Sequence, residues 1–483
     1  MVRRFLIQRS LVVCLLLAAS ACADTAGAPE PGVLATTDEL SLPAATDRDP
    51  AAGVVEIALE AKVATVDLGR GPVTMWTYNG ALPGPRIEAT VGDTVRVVFT
   101  NSLPEATTIH WHGLRVPNAM DGVPALGAPI PPGGTFTYEF TVPDAGTFWY
   151  HPHVRSDEQV ERGLYGAFVV RAANEPVVTS EHVVVLDDVL LGTDGQLAPF
   201  SENDAMIGRQ GALLANGRMA AVGAVAAGGL HRVRFVNAAN ARYFRIALAG
   251  HTLVRIGSDA GFLTTPEPLD DLLLVPGERA DVLFVAPATE GGDDLRWQNL
   301  PYDRGHETGG GPTSELFTLR LAGPPIATPP AVPLPGALGT VVALGPPTVT
   351  RELRLQEMAM GGGGHGGHGD MAMPAVFMFN DVMPPAMERF EATLGAIEEW
   401  TLENTTEMDH PFHLHGFRFQ TLSIDGTPAA EPAWHDTVNV PAGAKMLIRT
   451  ALEERPGTWM FHCHILEHAE RGMMGELVVT DAP

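Results

Sequence analysis

The chain has 483 residues, 45% of them hydrophobic, with a mean hydropathy of +0.07, which is enough for about three buried cores and gives no reason to expect a membrane span within its body. Its formal charge of −26 argues against nucleic acid as a partner and favours attraction of cations.

The N-terminus reads as an export segment. Arg3, Arg4 and Arg9 precede an apolar run from Leu11 to Ala19 that is too short to span a bilayer. Ala19-Ser20-Ala21-Cys22 fits a small-residue cleavage site and a lipidation box equally, so plain cleavage and a lipid anchor at Cys22 both stand. Arg3-Arg4-Phe5-Leu6 is a shifted form of a twin-arginine signal. Residues 1–22 are thus assigned to a signal peptide, and residues 23–49, rich in Ala, Pro and Thr, to a disordered tether. The protein is expected to be exported, either periplasmic or anchored to the cell envelope.

From residue 50 onward, short β-type runs separated by Gly and Pro predict an all-β chain of sandwiches. The run 92–101 recurs at 229–237 and more loosely at 395–404, which predicts three similar units. Their expected bounds are 50–174, 175–325 and 348–483, with a Pro-rich linker over 326–347. A second repeat occurs only twice, at 146–153 and 457–464, so the first and third units carry something the middle one lacks. The strand-turn-strand passage over 272–282 in the middle unit shows no site.

Four His-x-His pairs appear: His110/His112, His151/His153, His413/His415 and His462/His464. Side chains alternate along a strand, so each pair aims two imidazoles at one face, a spacing suited to adjacent metal ions. One pair is a weak signal. Four pairs, split evenly between units one and three, predict eight imidazoles converging where those units meet, and imidazole suits copper, zinc, iron or nickel.

Cys463 is the only cysteine of the folded body, so no intramolecular disulfide is available. In a strand its side chain points away from the flanking His462 and His464, toward a separate metal. With His410, His468 and Met473 it completes the donor set of a blue-copper electron-transfer site. An electron reaching the Cys463 sulfur then has a short covalent path through the flanking histidines to the cluster. His182, His231, His251, His306 and His435 have no such company and are expected at the surface or satisfied in the core.

His110-Trp111-His112-Gly113, Tyr150-His151-Pro152-His153, His410-Pro411-Phe412-His413-Leu414-His415-Gly416 and His462-Cys463-His464-Ile465-Leu466-Glu467-His468 resemble, in order, the four copper-binding motifs of the multicopper oxidase family. The resemblance covers nearly all of the chain after the tether, and no ligand is missing. It implies three cupredoxin-like Greek-key β-sandwiches and four copper ions. A type 1 copper would sit on His410, Cys463, His468 and Met473, and a type 2 copper on His110 and His413. Two type 3 coppers would share His112, His151, His153, His415, His462 and His464. The implied activity is one-electron oxidation of a reducing substrate coupled to four-electron reduction of dioxygen to water. An axial methionine suggests a low or moderate reduction potential, and hence easily oxidised donors.

Asp121 stands where three-domain bacterial members of that family place an acid that moves protons to the oxygen site; read locally, it is a turn residue before Gly122. Beside His468, copper-efflux relatives have an acid where this chain has Ala469 and then Glu470. The Gly-rich segment 358–373 carries Met358, Met360, His365, His368, Met371 and Met373, soft ligands suited to Cu(I) or else a plain linker. It resembles, in position, the methionine-rich insert of bacterial cuprous oxidases, and Met378, Met383, Met387 and Met408 either extend it or belong to the core. Phenols or aromatic amines, oxidised as by a laccase, are the first expectation for the donor, and Cu(I) in periplasmic copper tolerance is the alternative. A monomer is expected.

Overall fold

The computed structural model describes residues 38–289, 294–305, 308–359 and 375–481. Three β-sandwiches account for nearly all of them. The first pairs a sheet of Pro72–Tyr78, Val54–Asp67, Thr94–Asn101 and Thr135–Thr141 with one of Gly84–Thr90, Gly166–Arg171, Gly146–His151 and His110–His112. The second and third are each built from a six-stranded and a five-stranded sheet, formed from Ser180–Val189 to Ser314–Ala322 and from Val349–Ala359 to Met474–Thr480.

The repeat seen in the sequence has one structural meaning in all three units. Thr94–Asn101, Leu230–Asn237 and Ile397–Asn404 each run parallel to the first long strand of their own sandwich. Each ends on a buried asparagine that does the same work. Asn101, Asn237 and Asn404 accept from the amide two residues on and donate Nδ2 to two carbonyls, one four or five residues on and one about 30 residues or more away, which fixes the path of the following segment. In units one and three that segment delivers the first histidine of a metal-binding motif, His110 or His410.

Burial follows from position. Thr94–Asn101 and Ile397–Asn404 bury alternate residues, as strands with one solvated face do. Leu230–Asn237 is buried throughout, because sandwich one packs on its outer face. Arg232 and Arg234 on that face are neutralised by Glu175, Glu181 and Asp281, and Arg234 also donates to Thr147 of sandwich one.

Residues 38–49, assigned by composition to a tether, are ordered instead. Leu40 lies in the core of sandwich two, Leu42 packs against Trp149 and Val183, and Asn216 donates to the Leu40 carbonyl. Two leucines among alanines and prolines supply enough apolar burial to hold this segment in place, and composition averaged over 27 residues hides them. The signal segment, Cys22 and most of the Met/His-rich stretch 358–373, from residue 360 on, lie outside the described residues. The Pro-rich stretch after residue 325 is irregular but pinned, with Gly336, Val341 and Leu344 amides bonded to Thr264 and Gln420. No helix among the described residues is long and apolar enough to cross a membrane.

Leu40→Ala should destabilise the folded chain by about 2–5 kcal/mol, as removal of a fully buried leucine does. Urea unfolding followed by tryptophan fluorescence measures this, and an unchanged midpoint would show that the segment contributes nothing to the core.

Candidate metal centre

All eight paired histidines meet where sandwiches one and three face each other, and none is more than 6% exposed. His110 is paired in register with His151 across one sheet, and His413 with His462 across the other. The two layers stack: His110 lies 4.0 Å from His415 and His112 lies 3.9 Å from His413, centroid to centroid. Only His110/His112 lies wholly within a strand. In the other three pairs the second histidine falls just past the strand end, His415 and His464 in bends and His153 in irregular backbone.

The outer ring nitrogens are held by protein oxygens. His110 Nδ1 faces the Asp121 carbonyl at 2.9 Å, His151 Nδ1 that of Pro152 at 2.9 Å, His413 Nδ1 that of Asp436 at 2.9 Å and His462 Nδ1 that of Cys463 at 2.8 Å. A carbonyl accepts, so each of these rings carries its proton outward and turns an unprotonated Nε2 inward. The Nε2 atoms of His110, His151 and His413, Nδ1 of His112 and both nitrogens of His464 have no hydrogen-bond partner. Orphaned lone pairs in a dry interior are costly unless a cation collects them. His110/His112/His151, His110/His413/His415 and His153/His415/His462 each bring three donor atoms within 4.8 Å of one another, and the sets share members, as a cluster of several ions requires.

Asp121 is no ordinary turn residue: it is fully buried, and His415 Nδ1 donates to its Oδ2 at 2.8 Å. Burial pushes its carboxyl up, but His415 and His110 outweigh that and hold it well below the usual carboxylate range. Gly122 makes this position possible, since its backbone is left-handed and an added Cβ would sit 1.8 Å from the Ile109 carbonyl oxygen.

The middle sandwich, in which the sequence showed no site, closes the cluster from the side. Arg279 makes a two-pronged pair with Asp436 at 2.6 Å on each oxygen, and Asp436 in turn holds His112 Nε2 at 3.2 Å. Gly277 lies against His464, where an added Cβ would stand 2.7 Å from the ring. Spacing gave no sign of either, because Arg279 and Asp436 are 157 residues apart and belong to no shared motif.

Cys463 points to the other face of its strand, as alternation requires. Its Sγ lies 3.5 Å from His410 Nδ1 and 3.9 Å from His468 Nδ1, and the two nitrogens are 3.3 Å apart. A point equidistant from all three is about 2.1 Å from each, bonding range for thiolate and imidazole on a first-row metal. The tautomers agree. His468 Nε2 donates to the Met206 carbonyl at 3.2 Å, and His410 Nε2 to Thr406 Oγ1 at 2.9 Å, since that hydroxyl spends its own proton on Asn404 or Met408. Met473 is fully buried in the same core cluster; its carbonyl accepts from the Cys463 amide and its amide donates to His468. The two centres are joined by the backbone from Cys463 to His462 and His464 and by the His462 Nδ1–H bond to the Cys463 carbonyl.

The helix α3 (Leu466–Glu470) packs on α1 (Ser156–Glu161). Ala469 is buried, and Glu470 accepts from Ser156 N and Oγ at the start of α1. The buried acid of α3 is Glu467, which accepts from the Arg209 amide and is pushed up to about 7 by burial. Of the other histidines, His231 is satisfied by Ser180 and Ala226, His251 bonds the Ala249 carbonyl, His182 is buried in sandwich two and His435 lies 3.5 Å from Asp259; His306 lies outside the described residues.

Asp436→Asn should remove the two-pronged partner of Arg279 and leave it only the longer pair with Asp259 at 3.5 Å, costing about 3 kcal/mol, and loosen His112. Metal analysis should show depletion of the eight-histidine cluster, while blue absorption from the Cys463 centre persists; full metal occupancy would contradict this role. A second outcome concerns pH. Burial, reinforced by neighbouring imidazoles, lowers the pKa of His112, His151, His153, His413, His415, His462 and His464 from 6.5, to about 3 for His153. Below pH 6.5 the unfolded chain therefore binds more protons than the folded one, so stability of the metal-free chain falls as pH drops from there toward the folded values. Thermal melts at about pH 7, 6, 5 and 4 read this directly, and a flat Tm would refute it.

Three multicopper oxidase family models match residues 60–175, 181–293 and 365–483, one for each sandwich. The multicopper oxidase MmcO of Mycobacterium tuberculosis is 32% identical, over 88% of this chain and 86% of that protein. Among solved structures, a multicopper oxidase from Campylobacter jejuni described as a metallo-oxidase superposes with a TM-score of 0.81 at 31% identity, covering 91% of this chain and 94% of its own. A laccase-like multicopper oxidase, CueO, from the lignin-degrading Ochrobactrum sp. superposes with a TM-score of 0.77 at 28% identity, covering 91% and 100%. The chain, with its buried histidine cluster and its Cys463 centre, belongs to the multicopper oxidase family, copper-dependent oxidoreductases that pass electrons from a reducing substrate to dioxygen.

Proposed function

We propose that this enzyme takes its electrons from Cu(I) in the cell envelope and reduces dioxygen to water. Four resident coppers are assigned. His410, Cys463, His468 and Met473 hold type 1, His110 and His413 hold type 2, and His112, His151, His153, His415, His462 and His464 hold the type 3 pair. The resident metals supply one-electron transfer at Cys463 and dioxygen reduction at the cluster. The protein's part is to fix each imidazole by its outer nitrogen, to keep water out, and to hold Asp121 ionised beside His415 Nδ1, where it takes up and passes on protons.

The observation that carries the choice of donor is the covered state of His468. Its ring is fully buried, stacked 3.8 Å from Phe377 on one side, and its Nε2–H is spent on Met206 in the helix α2 (Glu202–Ile207). An aromatic donor therefore has no imidazole edge to touch. A small ion needs only soft ligands nearby. Met383 and Met387, each 39% exposed, flank Pro384, which packs against Gly472 next to Met473. The strand Ala375–Phe379 that carries Phe377 also follows directly on the Met/His-rich segment. Phenols stand first on sequence alone, and the covered imidazole reverses that order. Phenol oxidation remains the second reading, supported by the shortness of α2, whose removal would uncover His468, and by the laccase-like relative.

Dioxygen uptake by copper-loaded protein, with Cu(I) and with a dimethoxyphenol, tests this on the intact chain and on one lacking residues 358–373. Loss of Cu(I) turnover by tenfold or more on deletion is expected, with phenol turnover slow in both forms; fast phenol turnover untouched by deletion, with negligible Cu(I) oxidation, would sink the Cu(I) reading. Ser201→Ala breaks the capping box of α2, worth about 1 kcal/mol. It should raise kcat/KM for the phenol several-fold and leave that for Cu(I) unchanged.

A further inference from the structure

Arg304 is the one fully buried guanidinium with all three of its nitrogens unpartnered among the described residues. It is 2% exposed, and its carbonyl accepts from the amide of Asp409, the residue before His410. Its only described side-chain neighbour of note is the Tyr243 ring, 5.9 Å from the guanidinium carbon. The described carboxylates within electrostatic reach, Asp409 and Glu467, form no ion pair with Arg304. Asp409 accepts from Tyr302, Asn439 and the Ala442 amide, and Glu467 accepts on Oε1 from the Arg209 amide and Asn240; its Oε2 has no hydrogen-bond partner. Arginine stays protonated in proteins, so deprotonation offers no relief, and a buried unpaired charge costs several kcal/mol.

A cavity of about 80 Å³ lies against this group, walled mainly by polar atoms from Arg304, Arg242, Gln210, Asn299, Tyr302 and the glycine loop 309–311. Arg242 is already neutralised by Asp188. Among the described residues one positive charge is therefore left without a hydrogen-bonded or ion-paired partner, beside a space that holds a few waters or one small ion. We infer that Arg304 binds a small monovalent anion, a carboxylate or a halide, in this cavity, and that the anion lowers the reduction potential of the centre held by Cys463. A negative charge there stabilises the oxidised, more positive state of that centre, so the oxidised protein binds the anion more tightly. The site is separate from the eight-histidine cluster, where anions would meet the metals themselves.

The effect on potential rests on the type 1 assignment above, and the measurement needs no donor substrate. Redox titration of the blue absorption of the copper-loaded full chain is carried out with formate and, separately, with chloride, which distinguishes a carboxylate from a halide. A downward shift is expected with at least one of them; tenfold tighter binding to the oxidised form corresponds to 59 mV for one electron. Arg304→Met should abolish that dependence, and Arg304→Lys should keep part of it. Should Arg304→Met fail to fold, Gln210→Leu, which leaves the charge in place but removes a polar wall, should weaken the anion several-fold. No shift with either anion, an undiminished shift in Arg304→Met, or a change confined to the type 2 resonance would overturn the inference. A chain that binds copper without a blue band would refute the type 1 assignment instead.

Discussion

Imidazoles packed in a buried seam are tolerated only where one nitrogen of a ring is satisfied by the protein and the other by a cation. For His110, His151, His413 and His462 the outward Nδ1–H bonds to the carbonyls of Asp121, Pro152, Asp436 and Cys463 meet the first half of that demand, and they fix tautomer and ring orientation together. The second half is left to metal. Everything else about the chain follows from keeping this seam dry and in register: two sandwiches to contribute the strands, three equivalent asparagines to set the loops, and a middle sandwich to seal the side.

That middle sandwich is more than a spacer. Arg279 and Gly277 come from its turn and the strand that follows, and they support Asp436 and cover His464. The buried Arg279–Asp436 pair is expensive to desolvate and justified only where orientation matters, and here it orients the imidazole of His112. Sandwich two also supplies α2, whose Met206 carbonyl occupies the outer nitrogen of His468. One unit thus governs both the closure of the histidine cluster and the cover over His468.

The two centres need opposite surroundings. The cluster is hemmed by carboxylates held ionised, Asp121 and Asp436, suited to receiving protons and balancing several cations. The Cys463 centre lies in an apolar core with Phe412, Phe461 and Trp459, and burial pushes its thiol well up, so that loss of its proton depends on a metal. The Arg304 guanidinium is buried close by, with Asp409 and Glu467 as the acids on that side.

The meeting of the four histidine pairs was foreshadowed in the sequence because the spacing is local: period-two alternation aims the two imidazoles of a His-x-His pair the same way and throws the intervening Cys463 to the other side. The three-fold repeat was legible for a similar reason, since each copy ends on an asparagine with the same short-range bonds. What the sequence by itself determined is therefore the all-β class, the family and the histidine pairs that the fold brings together. Only the tertiary structure decided what surrounds them. Arg279 meets Asp436 across 157 residues, Met206 meets His468 across 262, and Leu40 reaches into a core that composition assigned to other residues. Such contacts are set by how three sandwiches pack on one another, and packing of distant surfaces leaves no periodicity along the chain to read.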